Sequence, residues 1–295
     1  MSSNIVVGAD FSEPSTTAAR WVARHLAGEA SDLVLVHVIY VPRPPSFLRG
    51  LFPPSDQLVE DARRGAELHL REVGKSLEAT RVRSKIRVGR VEEQLLDVAA
   101  ELDAYLLVVG PHGGRPGLGR LVGSTAERVA RRASTSVLLG RSLSERGLAT
   151  VLVALDESEL TEPVLRWAEW FGRREGVRII VLHVVNPFAY GAVGIAASSA
   201  ERARATQQLR EGAEAWARER VADLGIENVV IETSLGDVAL EILGALERVG
   251  ADLLVMGRSG SGRARERLLG SVVEFVLRNG TGPVLVVADG PPRTP

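Results

Sequence analysis

The chain has 295 residues, of which 45% are hydrophobic and 25% charged, and its net charge is -1. That length suits two domains with a core each, and the near-neutral balance gives no bulk attraction for nucleic acid or an anionic membrane surface. There is no cysteine, which excludes disulfides, thiolate metal sites and thiol nucleophiles. No apolar run reaches the roughly 18 residues of a membrane span. The start, MSSNIVVGAD, enters a strand pattern with no basic segment and apolar core before it. The expectation is therefore a cytoplasmic protein with neither a membrane nor a nucleic-acid partner.

In chain order, residues 5–9 form a continuous apolar run, as in a strand buried on both faces. Ser12 or Ser15 can cap the helix that follows, whose apolar face carries Ala18, Ala19, Val22, Ala23 and Leu26. Residues 33–39 are a second buried strand, and 42–55 a proline-rich segment that no regular element can hold. A long amphipathic helix is predicted at 57–79 and a more polar, alternating strand at 82–88, nearer a sheet edge. A helix at 92–102, a buried strand at 105–109, a helix at 124–133 and a last strand at 136–140 complete the half. Residues 141–149 read as a polar linker, and the final DGPPRTP as a tail without regular structure.

The second half repeats the first. IVVGADFS (5–12) matches VLVALDES (151–158), with Asp10 opposite Asp156, and VLVHVI (34–39) matches IVLHVV (180–185), His37 opposite His183. A helix at 200–223 answers 57–79, and the irregular segment 186–199 stands where the proline-rich one stood. The offset stays at 146 or 147 residues, so one domain has been duplicated. Strands alternating with helices imply parallel sheets covered on both faces.

Each half also carries a glycine turn after its fourth strand: GPHGGRPGLGRLVGS (110–124) and GRSGSGRARERLLGS (257–271). Both read Gly, two residues, Gly, nine residues, Gly-Ser. A glycine turn entering a helix N-terminus can present backbone N–H groups to an anion, aided by the helix dipole. One such turn is more often structural, but two at identical spacing favour a phosphate. Asp10 and Asp156 lie at the carboxyl ends of the first strands. If first and fourth strands are neighbours, each acid faces a glycine turn across one crevice, where open parallel sheets hold ligands. Trp21 and Trp167 fall on apolar helix faces and read as core. His37 and His183 read as core or strand-end histidines rather than bases or metal ligands, because no further ligand recurs near them at metal spacing.

On these residues the chain resembles the universal stress protein family, whose nucleotide signature is Gly-x2-Gly-x9-Gly-Ser/Thr. The likeness runs over nearly the whole chain, as a tandem member of the ATP-binding branch. It implies two Rossmann-like α/β domains of the adenine nucleotide alpha hydrolase-like type, at 1–142 and 148–289. Each would be a five-stranded parallel sheet in the order 3-2-1-4-5 with helices on both faces. It further implies one ATP per domain, with Mg²⁺ as the divalent cation bridging its phosphates. Carried over by position, Asp10 and Asp156 would meet the adenosine end, and Val38 and Val184 the adenine. Val109-Gly110 and Met256-Gly257 would lie along the ribose. Gly113, Gly123, Ser124 and Thr125 would bind phosphates in the first half, and Gly260, Gly270, Ser271 and Val272 in the second.

The two turns differ. Pro111 and Pro116 remove N–H donors from the first, whereas Arg258, Arg263, Arg265 and Arg267 make the second more electropositive; His112 is replaced by Ser259. Unequal affinity is expected. There is no P-loop lysine, so binding is better supported than turnover. The expected function is a regulator or sensor in stress response that shows its nucleotide state to a protein partner through 42–55 and 186–199. A slow ATPase or nucleotide-dependent transferase is the alternative. The family's pairing through last strands implies a pseudo-dimer of the two halves within one chain, which leaves a homodimer through another face compatible.

Overall fold

The computed structural model describes residues 3–28, 31–41, 56–77, 81–111, 123–143, 147–187, 198–226, 229–259 and 269–288. The proline-rich segment, most of 186–199, the inner parts of both glycine turns and the tail lie outside these residues. The chain divides into two units, Met1–Glu145 and Arg146–Pro295.

The first unit runs β1 (Ser3–Gly8), α1 (Glu13–His25), β2 (Ser31–Ile39), α2 (Asp56–Lys75), β3 (Val82–Val88), α3 (Val91–Glu101), β4 (Leu106–Val109), α4 (Ser124–Arg132) and β5 (Ser136–Leu139). Its strands lie in the order β3-β2-β1-β4-β5, and all four pairings are parallel. The register is set by apolar partners: Ile5 sits opposite Leu33 on one side and Leu106 on the other, and all three are buried. Such strands carry apolar side chains on both faces because helices cover both. β3 mixes half-buried and exposed positions, as its polar alternation predicts.

The second unit repeats the plan with β6 (Thr150–Leu155), α5 (Thr161–Gly172), β7 (Arg178–Val185), α6 (Ser199–Asp223), β8 (Val229–Leu235), α7 (Val238–Val249), β9 (Leu253–Gly257), α8 (Ser271–Asn279) and β10 (Val284–Val287). Its order is β8-β7-β6-β9-β10, again all parallel. The five-stranded order 3-2-1-4-5 thus holds in both units. Trp167 is fully buried and meets Trp170 edge-on at 5.3 Å and Phe171 at 5.8 Å; Trp21 is buried as well.

Helix boundaries follow capping chemistry. Of the two candidate caps for α1, Ser12 is the one used: it is extended, and its side chain accepts from Ser15 N–H. α6 starts in a capping box between Ser198 and Glu201. Asp237 accepts from Ala239 and Leu240 at the start of α7. α7 ends at Gly250, whose φ of 61° is left-handed and costs glycine little. α2 ends at Lys75, a turn short of the predicted 79.

Candidate functional site

β1 connects outward to β2, while the chain reaches β4 on its other flank. The carboxyl ends of β1 and β4 are therefore adjacent, and the direction of the connections reverses between them, which opens a crevice. In the first unit this crevice is a cavity of about 470 Å³, within the range of small-molecule sites. Asp10, Val38, Val109, Gly110, Gly123, Ser124 and Thr125 all line it. Gly113 lies outside the described residues.

The structure adds walls that the sequence did not single out. Val91 and Leu95 of α3, Val36 of β2, Ser15 of α1 and Gly8 also line the cavity. Val91 and Leu95 follow helical spacing, the same signal as ordinary core. Gly8 is small because a Cβ there would lie 3.3 Å from Leu95 Cδ1. Gly110 passes close to α1: a Cβ on it would be 3.6 Å from the Ser15 backbone.

Asp10 is held by its own turn. Its Oδ1 accepts from Ser12 N–H at 3.0 Å and from Ser12 Oγ–H at 2.5 Å. Oδ2 has no protein partner among the described residues, so it is available to a hydroxyl donor. His37 Nδ1 donates to Ala9 O at 2.7 Å. A carbonyl can only accept, so this bond places the ring proton on Nδ1 and fastens the end of β1 to β2. His183 does the same with Leu155 O at 3.0 Å in the second unit. Both histidines are strand-end clasps.

The opposite end of the cavity is electropositive by construction. α4 begins at Gly123, and no side chain among the described residues caps it; its first-turn residues Ser124, Thr125 and Ala126 line the cavity, and the first-turn N–H groups of a helix have no partner within it. α1, α6 and α7 are capped by their own residues, whereas α3 and α5, like α4, have no capping side chain among the described residues. α8 repeats the feature, with Gly270 at its start and no capping side chain. The neck of each glycine turn is closed by one backbone bond: Gly123 N–H to Pro111 O at 2.7 Å, and Gly270 N–H to Arg258 O at 2.9 Å.

In the second unit Asp156, Val184, Met256, Gly257, Gly270, Ser271 and Val272 occupy the matching places at the ends of β6, β7 and β9 and the start of α8; Gly260 lies outside the described residues. Asp156 Oδ1 accepts from Ser158 Oγ at 2.7 Å, the counterpart of the Asp10–Ser12 turn. The surroundings differ. The Leu160 side chain stands over Gly257, where a Cβ would meet its Cβ at 3.2 Å. A separate cavity of about 400 Å³ lies between Glu157, His183, Val185 and α6, and it contains none of the expected contact residues. Its surroundings differ from those of the first unit at several positions of the repeat. Glu157 stands where the first unit has Phe11, whose ring stacks on His37 at 4.3 Å and tilts against His69 at 5.0 Å.

A tandem pair of parallel α/β units, each with an acid after its first strand and a glycine at the start of its last helix, defines a class of Rossmann-like proteins. The model of the universal stress protein family matches residues 1–141 and again 148–288, and the chain belongs to that family. It is similar to a universal stress protein of Mycolicibacterium smegmatis, 31% identical over 294 residues and 96% of each chain. A universal stress protein of Mycobacterium tuberculosis is 28% identical over 295 residues, again 96% of each. Among solved structures, a universal stress protein from Archaeoglobus fulgidus shares the fold with a TM-score of 0.69 at 20% identity, covering 97% of this chain and 98% of that one.

Proposed function

We propose that the chain binds ATP, one molecule in each unit, and acts in stress response as a nucleotide-dependent regulator. The observation that carries this reading is the first crevice, where Asp10, Val38, Gly110 and the uncapped start of α4 surround one cavity of about 470 Å³. The polarity of the crevice orients the ligand. A carboxylate at Asp10 repels phosphate and accepts ribose hydroxyls, while the α4 N-terminus attracts phosphate. Apolar Val36, Val38, Val91 and Leu95 suit the flat face of a base. Ser124 and Thr125 offer hard oxygen donors, the kind Mg²⁺ accepts alongside phosphate oxygens. Occupancy would then be read by a protein partner.

The test is to denature purified protein with acid and analyse the supernatant for nucleotide, then to measure the thermal shift on adding ATP and Mg²⁺. Co-purifying ATP or a clear upward shift is expected; finding neither refutes the reading. Multiple-turnover release of ADP, abolished by Gly123→Ala, would favour the slow ATPase instead.

A further inference from the structure

The two crevices differ in what stands behind the serine of their Gly-Ser pair. In the first unit, Arg128, one turn into α4, donates from its terminal nitrogen to Ser124 Oγ at 3.1 Å. Arg128 Nε in turn reaches Glu92 Oε1 at 3.4 Å. The Glu92 side chain is 6% exposed, and the same oxygen takes Arg90 at 3.1 Å. Arg90 also meets Glu93 at 3.2 Å. The buried carboxylate is held between two guanidiniums, so Arg128 is fastened from α3 while it touches Ser124.

That contact sets the direction of a proton. A serine hydroxyl has one O–H and two lone pairs. The Arg128 N–H occupies a lone pair, so the Ser124 O–H is left to donate, and a neighbouring cation makes it a stronger donor. Ser124 lines the cavity. A donor of this kind, on top of the α4 dipole, selects an anionic oxygen. Among the described residues the second unit has no equivalent: Asp237, Ala239 and Phe275 stand at the places of Arg90, Glu92 and Arg128, and Phe275 is 41% exposed.

We infer that Arg128, positioned by Glu92, makes the first crevice selective for phosphorylated over unphosphorylated ligands by orienting the Ser124 hydroxyl. The second crevice lacks this device and discriminates less. This rests on the nucleotide reading above. Arg128 is a positioning residue: it acts through Ser124.

The experiment uses the full chain with its second crevice silenced by Ser271→Glu, which sets a carboxylate where an anion would lie. ATP, adenosine and inorganic tripolyphosphate are titrated calorimetrically into this parent, into Arg128→Ala and into Arg128→Lys. Arg128→Ala should weaken ATP and tripolyphosphate about tenfold and leave adenosine unchanged. Arg128→Lys, which keeps the charge and a donor, should recover part of the loss. The Arg128 side chain is 46% exposed and Arg90 still pairs Glu92, so the variants keep the fold. Equal weakening of ATP and adenosine, or no change in either, overturns the inference. Tripolyphosphate separates the two readings. If the parent binds it in an Arg128-dependent way but binds neither ATP nor adenosine, the nucleotide proposal fails and the role of Arg128 stands. If Arg128→Ala leaves tripolyphosphate binding intact while ATP binds the parent, the reverse holds.

Discussion

Asp10 gives the sharpest test of the site because its two oxygens have separate duties. Oδ1 closes the turn into α1 by accepting from Ser12 N–H and Oγ–H, whereas Oδ2 faces no protein donor among the described residues. Asp10→Ala removes both functions. The lost turn bonds are exposed and should cost about 1 kcal/mol of stability. A lost charge-assisted bond from a ligand hydroxyl should cost about 1.5–3 kcal/mol of binding, or roughly ten- to over a hundredfold in Kd. Asp10→Asn separates the two. Its amide oxygen can still accept from Ser12, so stability should stay within about 0.5 kcal/mol of the parent, while the amide nitrogen turns an acceptor into a donor and binding should fall nearly as far as in the alanine variant. The assay is calorimetric titration of adenosine and ATP beside urea denaturation, with Asp156→Asn as the matching change in the second unit. Parent-like adenosine affinity in Asp10→Asn would refute the assignment of Oδ2 to a ribose hydroxyl. Equal loss of stability in both variants would refute the division of labour.

Other predictions concern the scaffold. Trp167→Ala empties a fully buried position and should cost about 3–5 kcal/mol in urea denaturation; a loss below about 1 kcal/mol would mean the aromatic cluster is not core. Gly250→Ala forces a Cβ onto a φ of 61° with open space around it, so the cost is conformational, about 1 kcal/mol in thermal unfolding, and Gly250→Asn should cost less. Glu201 has its pKa lowered by hydrogen bonds from the Ser198 side chain and then its backbone N–H. A lowered folded-state value means its contribution is present above the ordinary carboxylate range and lost as pH falls through the folded value. The protection of first-turn α6 amides, taken relative to their intrinsic exchange rate at each pH, should therefore fall on acidification below about pH 4 in the parent but not in Glu201→Gln; identical profiles would exclude the capping box as the cause.

Much of the fold was legible because its signals are local. β1, β2 and β4 announced themselves as short apolar runs, since strands covered on both faces need no polar side. The duplication showed in matched pairs such as Asp10 with Asp156 and His37 with His183. The long α2 was overextended to residue 79 because Leu77 continues its apolar period past Gly74, the glycine beside its last residue. The role of the histidines was half legible: their apolar setting excluded little, and only the 2.7 Å bond to Ala9 O showed His37 as a clasp.

The sequence by itself determined the residue types and spacing of the crevice: an acid after the first strand, a Gly-x2-Gly-x9-Gly-Ser turn after the fourth, and both twice. These are chain-local facts, carried by φ freedom, capping chemistry and hydrophobic period. Only the tertiary structure decided which elements became neighbours. The β1–β4 pairing brings Asp10 opposite Ser124. The packing of α3 beside α4 supplies Val91 and Leu95 as walls and ties buried Glu92 to Arg128. The physical reason is that a strand run or an arginine in sequence looks the same whatever it will touch, and its role is set by the partner the fold delivers.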